Sequence, residues 1–193
     1  IVSQWANEGE AGLAKLFEEI NTGILRDLTY DPTEPDWQQA PVGGALAQAK
    51  RFAAENKTVA QRYGIKLTAY EGGQHLTFTG NLTGDRALIN ENIFLAGNRD
   101  ARMGQAFSQY FADWKEEAGS LFMVFESTAR WGSFGAFSLK EHQMQPLSET
   151  PKLAETLAFI DANPCWWADC DRVTNAFDRV TVDPLPEPPA MGE

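Results

Sequence analysis

Ile65-Lys66-Leu67-Thr68-Ala69-Tyr70-Glu71 alternates apolar and polar side chains and is closed at once by Gly72-Gly73. Alternation with period two marks a strand, and a glycine pair marks a tight loop at its end. On that period Leu67, Ala69 and Glu71 share one face. Immediately upstream, residues 44–63 place Leu46, Ala49, Phe52, Ala53, Val59, Ala60 and Tyr63 on one side of a helix. Gly64 follows where the helix must end, because glycine takes the left-handed turn at that position without a Cβ penalty.

Outward from this stretch the pattern recurs. Residues 86–96 are predicted helical. Residues 102–118 carry a continuous apolar stripe of Met103, Ala106, Phe107, Tyr110, Phe111, Trp114 and Ala118, stopped by Gly119. Leu121-Phe122-Met123-Val124-Phe125 is an uninterrupted apolar run of strand length, which suits a parallel strand covered on both faces. Thr150 as N-cap and Pro151 at the first helical position open a last helix to about residue 160. Towards the amino terminus, 10–28 has Leu13, Leu16, Phe17, Ile20 and Ile24 at helical spacing, and the proline-interrupted stretch around Pro32 and Pro35 connects it to the next helix.

Helix, strand, helix, strand, helix is the order of a βα repeat. Two parallel strands alone cannot cover their own faces, and a complete (β/α)8 barrel needs around 250 residues. The expectation is therefore an α/β fold: the C-terminal portion of a (β/α)8 TIM barrel, about its last two strands and their helices. Residues 1–162 would form that part of the barrel. Residues 163–193 would form a Cys/Trp-containing segment and an acidic, Pro-rich tail or linker, since 161–193 hold seven acids against Arg172 and Arg179 and five of the ten prolines.

The 193 residues are 43% hydrophobic and 22% charged, a composition of folded rather than disordered chains. A net charge of −11 without a basic stripe argues against nucleic acid or an anionic membrane as partner. No run approaches the roughly 18 apolar residues of a membrane span. Ile1-Val2-Ser3-Gln4-Trp5 lacks the charged and apolar regions of a signal peptide, which leaves either a mature chain or one that starts partway through a gene product. The two cysteines, Cys165 and Cys170, together with the distant His75 and His142, do not make a zinc site, and no metal or cofactor is expected. The cysteines could close a small disulfide loop in an oxidising compartment or stand as reduced thiols beside Trp166 and Trp167.

In βα barrels the chemistry gathers at the C-terminal ends of strands. Glu71 ends the first strand, Gly72-Gly73 lets the backbone turn sharply or a ligand approach closely, and Gln74 and His75 bring donors and acceptors to the same loop. The alternative is a solvated strand-end carboxylate before an ordinary turn. The second strand runs into Glu126, Arg130 and Trp131 and a loop rich in aromatics and glycine. Rings beside hydrogen-bonding groups suit a sugar, which offers C–H faces and hydroxyls. Phe134 and Phe137 are read as core, and Trp131 as a functional residue. Asn98-Arg99-Asp100 is read as a structural turn with Arg99 paired to a carboxylate.

Tyr70-Glu71-Gly72-Gly73-Gln74-His75, Asn98-Arg99-Asp100-Ala101-Arg102-Met103-Gly104, Leu121-Phe122-Met123-Val124-Phe125 and Trp131-Gly132-Ser133-Phe134-Gly135 together resemble a family of bacterial carbohydrate-associated proteins. These are described as cellulose-binding or glycoside-hydrolase-like and are similar to the clan A glycosidase barrels. The resemblance covers residues 44–162. It implies Glu71 as the catalytic nucleophile of a retaining double displacement and Trp131 as an aromatic platform. Tyr70, Gln74, His75, Glu126 and Arg130 would be substrate-binding, and the setting secreted or periplasmic. In such chemistry a second carboxyl group stands about 5–5.5 Å from the first. The clan places that acid on an earlier strand, which this sequence does not contain; Glu126, on the neighbouring strand, is the candidate within the chain.

Three functions follow as expectations. The first is a glycoside hydrolase acting on a polysaccharide outside the cytoplasm. The second is a non-catalytic carbohydrate-binding barrel. In the third, the segment completes another chain's fold, its partner being the missing N-terminal barrel segment or a second polypeptide.

Overall fold

The computed structural model describes residues 2–78, 81–167 and 170. Four α-helices precede the first strand: α1 (Val2–Trp5), α2 (Glu10–Asn21), α3 (Leu25–Thr29) and α4 (Gly44–Arg62). Strand β1 (Ala69–Gly72) leads to α5 (Asp85–Ile89), which runs through a π-helical turn (Asn90–Leu95) into α6 (Ala96–Arg99). Then come α7 (Ala101–Glu117), strand β2 (Phe122–Val124) and α8 (Pro151–Ala162).

Each long helix forms for a reason visible in its residues. Helix α7 buries Met103, Ala106, Phe107, Phe111 and Trp114 along one stripe, each large side chain contributing about 1.5–3 kcal/mol by leaving water. Its amino end is capped by Asp100, whose carboxylate accepts the Arg102 N–H at 2.9 Å. Its carboxyl end is closed from α4, where Lys57 Nζ donates to the Ala118 carbonyl at 2.7 Å. Helix α4 ends at Gly64, with φ +64° and the Ile65 N–H returned to the Ala60 carbonyl. Helix α8 begins at Pro151, but Thr150 makes no side-chain cap; its hydroxyl donates instead to the Leu147 carbonyl at 3.0 Å.

The two strands pair in parallel, Ala69 opposite Phe122 and Gly72 opposite Val124, with a register shift between. The Phe125 N–H donates to the Gly72 carbonyl at 2.9 Å. The role of Gly72 is steric: a Cβ there would lie 2.0 Å from the Phe122 ring. Phe122 and Val124 turn towards the main core, which gathers Trp5, Leu16, Phe17, Ile20, Ile93, Met103, Phe107 and Phe111. Met123 and Phe125 remain exposed on the other face.

This arrangement corrects the expected barrel portion. The chain is mostly helical, and the sheet has only two strands among the described residues, four and three residues long. The helices pack chiefly on one another, α7 against α8, α4 and α2, and the core is made between helices rather than between a helical ring and a barrel wall. The strand expected over 65–71 starts only at Ala69, and the alternation breaks at Glu71, which is exposed where Leu67 and Ala69 are half-buried; the lead-in is held by other bonds, the Ser120 hydroxyl donating to the Leu67 carbonyl and Trp114 Nε1 to the Ser120 carbonyl at 2.9 Å. Of the expected tail, 171–193 lie outside the described residues. Before them Cys165 and Cys170 are joined as a disulfide, Cα–Cα 5.7 Å, and Trp166 packs edge-on against Phe159 of α8.

Candidate functional site

At the carboxyl end of the sheet, Glu71, Gly72, Gly73, Gln74, His75, Phe125 and Phe137 line a cavity of about 250 Å³. Strand β1 delivers Glu71, the loop after it delivers Gln74 and His75, and Phe125 follows directly on β2 with its ring exposed. Phe137 reaches the cavity from the long loop before α8 and meets the His75 ring edge-on at 5.5 Å between centroids. Glu71 and His75 are exposed. Among the described residues, no hydrogen bond or ion pair engages the Glu71 carboxylate or the His75 ring nitrogens. Glu71 also borders a second cavity of about 290 Å³ between α4 and β1, which Tyr110 and Trp114 line as well.

Gln74 is differently placed. Its Nε2 donates to the Ala136 carbonyl at 2.8 Å, and its Oε1 accepts the Leu76 N–H at 2.7 Å. Both ends of the amide are spent on the protein, so Gln74 fixes the loop that carries His75.

The other sequence-predicted residues are dispersed. Tyr70, on the same strand, is 77% exposed and lines no part of the Glu71 cavity. Glu126 is half-buried; its backbone carbonyl accepts the Leu139 N–H at 2.8 Å, and its side chain does not line the cavity. Arg130 is exposed and outside it too. Trp131 is 7% exposed. Its indole Nε1 donates to Ser138 Oγ at 2.8 Å, and the Lys152 ammonium lies 4.3 Å from its ring centroid. Trp131 therefore stands inside the protein, next to the site loop rather than in the cavity.

Two contributors escaped the sequence reading. Phe137 was assigned to the core, and no local pattern distinguishes its ring from that of Phe134, which is 89% exposed. Lys152 is completely buried, although lysine is among the residues least often found inside. Its Nζ donates to Asn98 Oδ1 at 2.8 Å and to the Ala136 carbonyl at 2.5 Å. Burial pulls the ammonium pKa down to about 7, and the Glu141 carboxylate draws it the other way.

A wider cleft, about 840 Å³, lies elsewhere, against α2, the π-turn, Arg99 and Asp100. Glu10, Arg99 and Asp100 in its lining are paired within the fold. Arg99 makes a two-pronged bond to Glu141 at 2.7 and 2.8 Å, and Arg102 binds both Asp100 and Glu10 at 2.6 and 2.8 Å. Each pair shifts its members as expected: Asp100 and Glu141 fall below the ordinary carboxylate range because a guanidinium donates to them. The Asn98–Gly104 motif is thus scaffold.

Among the described residues no group of three or more His, Cys, Asp or Glu side chains is placed to hold a metal ion, and no helix is long and apolar enough to cross a membrane. Comparison with protein-family models, curated proteins and solved structures finds no match.

Proposed function

We propose that the cavity beside Glu71 receives a sugar ring and that the chain acts on carbohydrate, with Glu71 as the nucleophile of a retaining glycoside hydrolase. The observation that carries this reading is the pairing of uncommitted polar groups with ring faces in one cavity. The Glu71 carboxylate and the His75 imidazole are unengaged by the described residues, and Phe125 and Phe137 form the apolar wall. Sugars need that combination, because their C–H surfaces bury against rings while their hydroxyls require acceptors and donors. The resemblance of Tyr70-Glu71-Gly72-Gly73-Gln74-His75 to the carbohydrate-associated family supports the same assignment.

The chemistry proposed for Glu71 is attack of a carboxylate oxygen on the anomeric carbon with departure of the glycosidic oxygen, which takes its proton from solvent water; a second water then cleaves the glycosyl ester, releasing the sugar and restoring the carboxylate. His75, in the same cavity, bonds a hydroxyl. Gln74 acts as a positioning residue through the loop it anchors.

One observation favours a second reading, recognition without turnover: Glu71 is the sole carboxylate among the residues lining the cavity. A glycan array read with the wild-type chain and with Glu71→Gln, followed by a reducing-sugar assay on each retained glycan, decides between them. Retention by both proteins with release by the wild type alone establishes the hydrolase. Retention without release establishes the binding protein. An array with no retained glycan removes carbohydrate altogether.

A further inference from the structure

Behind the loop that carries Gln74 and His75 lies a second cavity, of about 180 Å³. It is a half-open pocket lined by Ile20 of α2, Leu46 of α4, and Met103, Ala106, Phe107 and Tyr110 of α7. Gly73, Gln74 and His75 line it on one side and line the Glu71 cavity on the other. These three residues are therefore the shared rim of two chemically different spaces. One offers a carboxylate and an imidazole, the other aliphatic and aromatic carbon.

We infer that the second cavity is a binding site for an apolar group the size of a benzene ring, and that the ligand of this protein spans both spaces, its sugar beside Glu71 and an aryl or short alkyl arm between α2, α4 and α7. Three observations carry the inference. First, the size fits: an apolar protein cavity of about 150 Å³ stays dry and takes up benzene. Second, neither cavity alone reaches the roughly 300 Å³ at which small-molecule pockets begin, while together they exceed it. Third, the shared rim is anchored. Gln74 is bonded through both ends of its amide, to the Ala136 carbonyl and from the Leu76 N–H, so the loop does not need to collapse into the apolar space to satisfy itself.

Tyr110 adds direction. Its ring is half-buried and packs edge-on against Phe122 at 5.2 Å, and its hydroxyl, like that of any tyrosine, is a donor at neutral pH. Tyr110 and Glu71 both border the neighbouring cavity between α4 and β1. A donor at the edge of an apolar cavity suits a ring bearing an oxygen, as the aglycone of a phenyl glycoside does.

The apolar site stands by itself; the ligand that spans both spaces rests on the carbohydrate reading. Ligand-observed NMR titration of the intact chain with toluene, methyl β-D-glucoside and phenyl β-D-glucoside tests each part. The expected result is saturable toluene binding, weakened at least ten-fold in Ala49→Phe, whose new ring enters the space from α4. Phenyl β-D-glucoside is expected to bind at least ten-fold more tightly than the methyl glycoside. Leu46→Trp is the second filling variant, and far-UV circular dichroism selects whichever of the two keeps the native spectrum. Absence of saturable toluene binding by the wild type overturns the site, as does toluene binding that a folded filling variant leaves unchanged. Equal affinity for the two glucosides overturns the spanning ligand. Toluene binding with the expected loss in the variant, but no binding of either glucoside, upholds the apolar site and overturns the sugar arm alone.

Discussion

Gln74 and Lys152 donate to the same oxygen, the carbonyl of Ala136, at 2.8 and 2.5 Å. A carbonyl has two lone pairs, and here one is given to the loop of the candidate site and the other to the most deeply buried cation of the described chain. The loop after β1 is thereby tied to α8, and through Asn98, which accepts from the same ammonium at 2.8 Å, to the end of α6. The position of His75 thus depends on a helix that touches no part of the Glu71 cavity.

A pH dependence of stability follows. The folded-state pKa of Lys152 is lowered to about 7 by burial, whereas an unfolded lysine titrates near 10.4. Below about pH 7 both states carry the proton and the folded state bears the whole cost of the buried charge. Between about 7 and 10.4 the unfolded state binds more protons, so stability rises with pH, at no more than roughly 1.4 kcal/mol per unit. Urea denaturation from pH 7 to 9 should show midpoints moving upwards in the wild type and a flatter profile in Lys152→Met. An identical slope in both proteins would assign the effect to another group.

The acid limb has the same sign and a different owner. Glu141 and Asp100 are held below the usual carboxylate range by Arg99 and Arg102, with the guanidinium hydrogen bond the larger cause in each. Their contribution is present above the unfolded carboxylate pKa and is lost as pH falls through the lowered folded values. Arg99 is partly exposed, so solvent screens the effect. Arg99→Gln should therefore shorten the acid limb modestly while leaving the alkaline slope of the wild type in place; loss of the alkaline slope in this variant would contradict the assignment to Lys152.

Glu71 should behave as a ligand group and not as a structural one. Its side chain is exposed, with no partner among the described residues, and surface changes of this kind usually leave stability within about 0.5 kcal/mol. Glu71→Ala is expected to unfold at the wild-type temperature in a thermal melt and to lose retention of the glycan that the wild type holds. A clear fall in melting temperature would mean that the carboxylate supports the fold.

How much of this was legible in the sequence depends on the range of the forces involved. The stripe from Met103 to Trp114 and the stop at Gly64 are local, and each is recoverable from spacing and residue type, whereas the carboxylate that pairs with Arg99 is Glu141, 42 positions further on, which residue type alone does not single out. The barrel was not there to be found. An apolar run such as 121–125 satisfies a strand covered on both faces, but a helical core meets one of its faces equally well, and periodicity does not say which element supplies the cover. Glu71, Gln74 and His75 were singled out because they follow one another along the chain. Phe137 and Lys152 were invisible because they arrive from 62 and 77 positions beyond His75. Trp131 shows the same limit in reverse: its place after a strand suggested a platform, while the partners that bury it, Ser138 and Lys152, lie further along.

Trp131 accordingly has a structural prediction. Replacing it with Phe removes the N–H that Ser138 Oγ accepts and the wider ring beside the Lys152 ammonium. A buried acceptor left without its donor costs about 1–3 kcal/mol, and a cation over an indole up to about 2 when desolvated. Chemical denaturation should place Trp131→Phe at least 1 kcal/mol below the wild type. Phe134→Ala, at an 89% exposed position, should remain within about 0.5 kcal/mol. The reverse ranking would put Trp131 at the surface and Phe134 in the core.

Gly104 decides whether the Asn98–Gly104 motif is scaffold. Within a helix, as here in the first turn of α7, glycine to alanine ordinarily gains up to about 1 kcal/mol, because alanine loses less backbone freedom on folding. At this position, however, the added Cβ would stand 2.6 Å from the Pro151 carbonyl oxygen and 2.9 Å from Glu155 Cγ. The first of these is backbone and cannot swing aside, so α8 must move away from α7. That movement opens the interface that holds Lys152 under Ala136, at a typical overpacking cost of about 1–3 kcal/mol. The two terms oppose each other, and the clash is the larger because the contact is with main chain. Gly104→Ala is therefore expected to melt several degrees below the wild type, a loss of 1 kcal/mol corresponding to about 2–4 °C at this chain length. Gln105→Ala, one residue on and exposed, should melt with the wild type. A Gly104→Ala protein as stable as or more stable than the wild type would show that α7 and α8 do not approach at this glycine, and with that approach would go the buried link from Lys152 to the site loop.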